Sequence, residues 1–307
     1  MEGMKELQIR EEKTSRFVQF LNSEFFYHYR HNLPAMIGSV LVLLAVLVAV
    51  FGKFLAPQNP YDLTQINLID AYLPPSWAGG DPRFFLGTDD QGRCILSAII
   101  YGSVSSLTIG LLGTIFSCVI GTALGLIAGY FGGVADMIIM RFTDMVMSFP
   151  YILLVLVAAS IFKPGLWNII LILGFVDWPG IARLVRGNVL SLRETNFIKG
   201  NIVAGMPLRH ILFSEILPNT AAPILVYATS VLALSMLDEA ALSFLGLGVQ
   251  PPTASLGNML NGAQSLTVLT KQPWLWIPPG LLIVVLVIAI NFIGDALRDA
   301  LDPNSRN

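Results

Sequence analysis

Charge is scarce in this chain: Lys, Arg, Asp and Glu together make up 12% of its 307 residues, against about a quarter in an ordinary soluble domain. That scarcity excludes a water-soluble globular protein, and with 54% hydrophobic residues the chain reads as a polytopic membrane protein. Its formal net charge of -2 excludes the clustered basic footprint of a nucleic-acid binder, so no nucleic acid is expected as a partner. Only Cys94 and Cys118 are present, which supports no disulfide framework. Histidine is almost as rare. His28, His31 and His210 all lie outside the long apolar runs and form no HExxH pair for zinc. A GxSxG nucleophile elbow and a GxxxxGK phosphate loop are missing as well. The chain is therefore expected to hold no catalytic residue, no metal and no cofactor of its own. If ATP drives it, another chain must bind the ATP.

What the chain has instead is apolar length. A membrane span needs roughly 20 mostly apolar residues, and six stretches qualify: 33–55, 107–129, about 144–162 with Pro150 inside, 167 to about 185, 222–245 and 274–296. The first run starts near Leu33 and is too long for a signal-peptide core, so it reads as an uncleaved span. The second is dense in small residues (Gly110, Gly113, Gly121, Gly125, Gly129), a pattern that lets helices approach closely inside a bundle. Six spans put both termini on one side. With the termini inside, the inner segments carry thirteen Lys and Arg against five outside, a positive-inside bias. The expected layout is an all-α polytopic protein with six transmembrane helices and both termini cytoplasmic. It has a cytoplasmic tail over 1–32, a first span over 33–55 and an extracytoplasmic loop with an interfacial segment over 56–106. A five-helix core over 107–297 includes a cytoplasmic loop at 187–220, and a tail covers 298–307.

In the second half of the chain the apolar runs are interrupted by a mixed-charge segment, TNFIKGNIVAGMPLRHILFSEILP, residues 195–218. Ser191 with Glu194 forms a capping-box pattern. Ile198 and Ile202 share a helical face, Gly205, Met206 and Pro207 predict a break, and Leu208, Ile211, Leu212 and Ile216 make a second apolar stripe. On spacing alone, such a helix pair suits a partner's groove or the membrane interface.

Charged groups at membrane depth are functional candidates by default. Here they are Asp177, Asp238 and Glu239. Counting along the fifth span at about 1.5 Å per residue puts Asp238 and Glu239 near its outer end. There they suit either an outward vestibule along the pathway or internal bonds to a neighbouring helix. Asp177 precedes Trp178, Pro179 and Gly180, a kink signal near the inner end of the fourth span, and reads as a pathway candidate or a kink-side hydrogen bond. Arg141 with Asp144 is expected as a local pair. In the outer loop, Gly87, Asp89, Asp90 and Gly92 are turn formers. That segment suits a receptor contact or plain loop structure.

The run GMPLRHILFSEILPN, 205–219, resembles the cytoplasmic coupling loop of ABC-importer permease subunits, whose pattern is Glu-Ala-Ala, three residues, Gly, then a distal Leu-Pro. Four further stretches narrow the likeness: LGTDDQGRCILSAIIYGSVSSL (86–107), WPGIARLVRGNVLSLRE (178–194), EAALSFLGLGVQPPTASLGNML (239–260) and IGDALRDALDP (293–303). In that order they are similar to the second permease subunit of dipeptide, oligopeptide and nickel importers, over almost everything after Leu33. Two positions depart from the pattern. Lys199, Gly200 and Asn201 stand where the family has Glu-Ala-Ala, and glycine costs up to about 1 kcal/mol against alanine in a helix, so a weaker first coupling helix or an altered partner surface is expected. Cys94 stands where the family has an aspartate.

The resemblance implies a type I ABC importer permease fold in the inner membrane, in contact with lipid. Its implied partners are a paralogous permease, two ATP-binding subunits that hold the ATP and Mg, and an extracytoplasmic substrate-binding protein. It also implies a coupling seat, which falls on Ile198, Lys199, Ile202, Gly205, Leu208, Ile211 and Leu212, with Leu217 and Pro218 fixing how the loop returns to the fifth span. Peptides are the implied cargo, with nickel or a nickel chelate as the alternative. A stand-alone secondary transporter would carry inverted repeats with broken helices or a proton relay, and an intramembrane enzyme would carry a nucleophile and base; neither is visible.

Overall fold

The computed structural model describes residues 29–301 apart from Leu63; the expected tails at 1–32 and 298–307 lie largely outside the described residues. Among these residues every regular element is a helix, and the one strand-like pairing is an isolated bridge between Thr88 and Cys94. In chain order the helices are α1 (Leu33–Leu55), α2 (Ile95–Phe131), α3 (Gly133–Met147), α4 (Tyr151–Ile161), α5 (Leu166–Arg193), α6 (Asn196–Val203), α7 (Leu208–Phe244), α8 (Leu256–Asn261), α9 (Leu266–Lys271) and α10 (Ile277–Leu301). Five of them, α1, α2, α5, α7 and α10, are long and apolar enough to cross a bilayer.

Local chemistry sets the boundaries. Asn32 caps α1, its side-chain oxygen accepting from the Ala35 amide at 3.2 Å, with Pro34 in the first turn where its missing N–H costs nothing. α2 begins at Ile95 rather than 107, so the expected interfacial segment is instead the outer third of a 37-residue helix. The serines of this stretch lower its hydropathy without ending the helix. Ser97, Ser103 and Ser106 are buried, and Ser103 and Ser106 donate to Ile100 O and Glu239. The span expected over about 144–162, with Pro150 inside, is built from two helices, α3 and α4, that meet at 88°. Pro150 has no N–H to continue the ladder and disfavours helix at Phe149; it takes an extended conformation, and α4 starts at the next residue.

The most extensive helix contact joins α2 to α5, and the small residues of α2 make it. A Cβ at Gly121, Gly125 or Gly129 would come within 2.6 to 2.7 Å of Ile181, Val185 or Val189 respectively. These pairs advance together along both helices, so α2 and α5 run parallel. Without a hydrophobic drive between helices in lipid, such close packing is what holds a bundle. Parallel neighbours also oblige the chain between them to return along the bundle. α3 and α4 do so: Asp136 pairs with Arg186, Phe142 stacks on Trp178, and Val155 and Ala159 pack with Ile169 and Leu173. Asp144 belongs to the same run, pairing with Arg183 at 2.7 Å and not with Arg141 as spacing suggested.

α7 is a single element. The segment expected as a separate second coupling helix is its first part, so Leu217 and Pro218 lie inside a continuous helix and not at a return. Just before Pro218 the turn widens over Ile211–Ile216, where the Leu217 amide bonds back five residues to Leu212 O. Pro218 lacks a donor and its ring crowds the carbonyl four residues earlier, and the wider turn accommodates both.

Candidate functional site

At the end of the bundle where α5 stops, α6 and the start of α7 form a small platform. Gly205 makes the turn with φ +72, a left-handed conformation that suits glycine, and the Met206 amide bonds back to Asn201 O at 3.0 Å to close α6. Pro207 then precedes α7. Thr195, and not Ser191, stands at the N-terminus of α6; Ser191 is still within α5, and Glu194 pairs with Lys199 at 2.8 Å. That contact gives the lysine a partner inside its own chain and holds the Glu194 carboxyl below its ordinary range. α6 forms despite Gly200.

The residues expected to seat a partner divide into two sets. Ile198 and Ile211 are 0% and 2% exposed. They pack into a cluster with Leu126 of α2, Val185 and Val189 of α5, and Ile216, with Leu212 and Leu217 half-buried at its edge. These side chains fasten the platform to the bundle and leave nothing for a partner to grip. Ile202, Gly205 and Leu208 are exposed, as are Lys199 and Pro218. They stand among further exposed apolar side chains that spacing had not singled out: Phe197, Val203, Met206 and Phe213, with Val203 88% exposed. A stripe count finds the apolar residues but not which of two faces the bundle covers.

Farther along α7, the membrane-depth carboxylates separate as well. Asp177 lies near the middle of α5, not at its inner end, because that helix runs on to Arg193. It faces Asp238 of α7 across a cavity of about 360 Å³. Tyr151, the first residue after the α3–α4 break, donates to Asp238 at 2.7 Å, and Ser235 donates to Asp177 at 3.2 Å. Tyr227, Phe149 and Leu154 are among the other residues of its wall, and no Lys, Arg or His lines it. Among the described residues neither carboxylate has an ion-pair partner, so the cavity favours a cationic or hydrogen-donating group, since charges held away from water need pairing. Tyr151 and Ser235 were missed in the sequence because nothing in their spacing points across 87 or 58 residues.

Glu239 turns the other way and lines no vestibule. It is 0% exposed and accepts from Ser106 at 2.7 Å and Ser243 at 2.8 Å. Those serines also accept from the amides of Leu256 and Val249, so the carboxylate fixes the segment after α7 to α2.

Residues 121–307 match the model of the binding-protein-dependent transport system inner membrane component, and residues 21–75 match the N-terminal TM domain of oligopeptide transport permease C. A dipeptide transport system permease protein, DppC, of Haemophilus influenzae is 41% identical over 91% of this chain and 94% of its own length. A di/tripeptide transport system permease protein of Pseudomonas aeruginosa is 40% identical over 92% of each. A chain of the inward-facing MetNI methionine ABC transporter aligns with TM-score 0.56 at 20% identity, covering 68% of this chain and 98% of that one, a likeness of fold. A helical chain with several membrane-crossing helices, no nucleotide motif and these matches belongs to the family of inner-membrane components of binding-protein-dependent ABC transport systems, in its oligopeptide permease C branch.

Proposed function

We propose that this chain is one of two permease subunits of an ATP-driven importer of short peptides, pairing with a paralogous permease around a shared pathway. Two separate ATP-binding subunits hydrolyse Mg-ATP, and an extracytoplasmic binding protein delivers the cargo. Its relatives are named dipeptide and di/tripeptide permeases, which favours peptides over nickel. The chain crosses six times, the α3–α4 pair counting once. This reading rests on the parallel course of α2 and α5 and puts both termini, with the platform, in the cytoplasm.

The observation that carries the mechanism is continuity. The exposed apolar platform opens a helix that runs from Leu208 to Phe244, so Leu208 and Asp238 are joined by roughly 45 Å of one rod at about 1.5 Å per residue. Phe197, Ile202, Val203, Met206, Leu208 and Phe213 seat in a cleft of an ATP-binding subunit, Ile198 and Ile211 hold the seat to the bundle, and Lys199 meets the partner together with Glu194. When the ATP-binding subunits close, the platform shifts and α7 carries the motion to Asp238 and Tyr151. The seat transmits motion because its partner binds it differently in two states. In the cavity, Asp177 and Asp238 receive the cationic α-ammonium of a passing peptide.

The test is uptake of labelled dipeptide by proteoliposomes holding the two permeases, the ATP-binding subunits and the binding protein. Uptake that needs ATP and every subunit supports the proposal. Uptake by this chain alone, or without ATP, overturns it.

A further inference from the structure

Lys53 lies near the end of α1 opposite Asn32, and it is left without an ion pair or hydrogen bond among the described residues. It opens on a cavity of about 540 Å³ between α1, α2 and the start of the following loop. Gly52 brings the helices together there, since a Cβ at that position would meet Ile100 at 2.6 Å. One wall holds Tyr101, its ring edge-to-face with Tyr61 at 5.3 Å, and Tyr61 is itself fixed by accepting from the Ala254 amide at 3.2 Å. One turn deeper on the same face of α2 is Ser105, which is only 7% exposed. Its hydroxyl lines the cavity and, unlike its buried neighbours Ser103 and Ser106, makes no hydrogen bond. No acidic side chain lines this space. Val50, which lines it, and Phe51, Phe54 and Leu55 beside it are exposed apolar side chains on the last turns of a helix long enough to cross a bilayer.

We infer that this cavity is a binding site for an anionic glycerophospholipid. The phosphodiester sits against the Lys53 ammonium and the Tyr101 hydroxyl, the ester carbonyls lie one turn deeper and accept from Ser105, and the acyl chains run down the α1–α2 seam. The vertical order of the groups carries the assignment: cation at the helix end, phenol beside it, unpaired hydroxyl below, apolar surface beyond. A free anion would use only the first two. A lipid also leaves no empty space between two helices facing the bilayer, and it supports the α1–α2 contact from the membrane side.

The assembled transporter is delipidated in detergent and loaded with phosphatidylglycerol or phosphatidylcholine, and retained lipid is read by native mass spectrometry. Wild type should retain phosphatidylglycerol about fivefold more than phosphatidylcholine, the effect of one lysine on an anionic headgroup. Lys53→Gln should remove that preference and Lys53→Arg should keep it. Ser105→Ala should lower retention of both lipids. Equal retention of the two lipids by wild type, or an unchanged preference in Lys53→Gln, overturns the assignment. So does displacement by inorganic phosphate, which would mark a free-anion site, and so does loss of the complex in both Lys53→Gln and Ser105→Ala, which would mean that the paralogous permease fills the cavity.

Discussion

Replacing Ile198 by alanine separates a side chain that fastens the platform from one that binds a partner. Ile198 is fully buried among Leu126, Val185, Val189, Ile211 and Ile216. Removing its outer carbons from a packed site costs about 2–5 kcal/mol. α6 has only eight residues, well below the ~12–15 at which a helix stands alone in water, so its position depends on this packing. A loss of ~3 kcal/mol shifts a docked-to-undocked equilibrium by roughly a hundredfold. The exposed side chains Ile202, Val203 and Met206 are untouched. The ATP-binding subunits should therefore still co-purify and hydrolyse ATP, while peptide imported per ATP falls by about tenfold or more. The assay is uptake and phosphate release on the same proteoliposomes, with gel filtration to check assembly. Normal transport per ATP in Ile198→Ala would refute the fastening role. Loss of the ATP-binding subunits with unchanged thermal stability of the permease would refute it too, since it would mean that Ile198 faces the partner.

Other substitutions follow from the same geometry. Gly205→Val puts a branched residue at φ +72, a conformation costing an ordinary residue about 1–2 kcal/mol and a branched one more; it should abolish uptake while membrane insertion, read by fractionation, stays intact. Gly125→Leu drives a side chain into Ala182 and Val185 and should lower the melting temperature of the purified complex. Gly200→Ala meets nothing within 4 Å and should strengthen α6 by up to about 1 kcal/mol, leaving uptake unchanged or raised. Tyr151→Phe deletes the 2.7 Å bond to Asp238, and Asp238→Ala deletes the carboxylate. Each should cut uptake by about tenfold, equivalent to ~1.4 kcal/mol, with assembly unaffected. Lys199→Glu sets a like charge beside Glu194, and because both side chains are more than half exposed solvent screens the contact. It should change the ratio of transport to hydrolysis only modestly.

The sequence made the long spans and the bend at Gly205 legible because apolar length, glycine and proline act locally. It failed where the deciding contact was distant. The stretch after Cys94 was apolar enough to read as an interfacial segment, yet it is the outer third of α2, with Ser97, Ser103 and Ser106 buried against the rest of the bundle. Spacing put Ile198 and Ile202 on one face, but the bundle buries the first and leaves the second 45% exposed. Asp238 and Glu239 are adjacent in sequence, and helix geometry turns them about 100° apart, one to the cavity and one to Ser106. Asp144 had an arginine three residues away and took one 39 residues on, because α3 returns along α5. Each miss is a case in which tertiary packing chose between faces that the sequence left equivalent.

The central claim is that the exposed face of α6 and the start of α7 seats an ATP-binding subunit. The most direct measurement is disulfide cross-linking in the assembled complex between single cysteines here and cysteines in the partner's cleft, with Cys94 and Cys118 replaced by serine. Cysteine at Val203 or Met206 should link, with a yield that changes when ATP binds, and cysteine at Ile198 should not. Linking through Ile198, or none through Val203 and Met206 in either nucleotide state, would contradict the account.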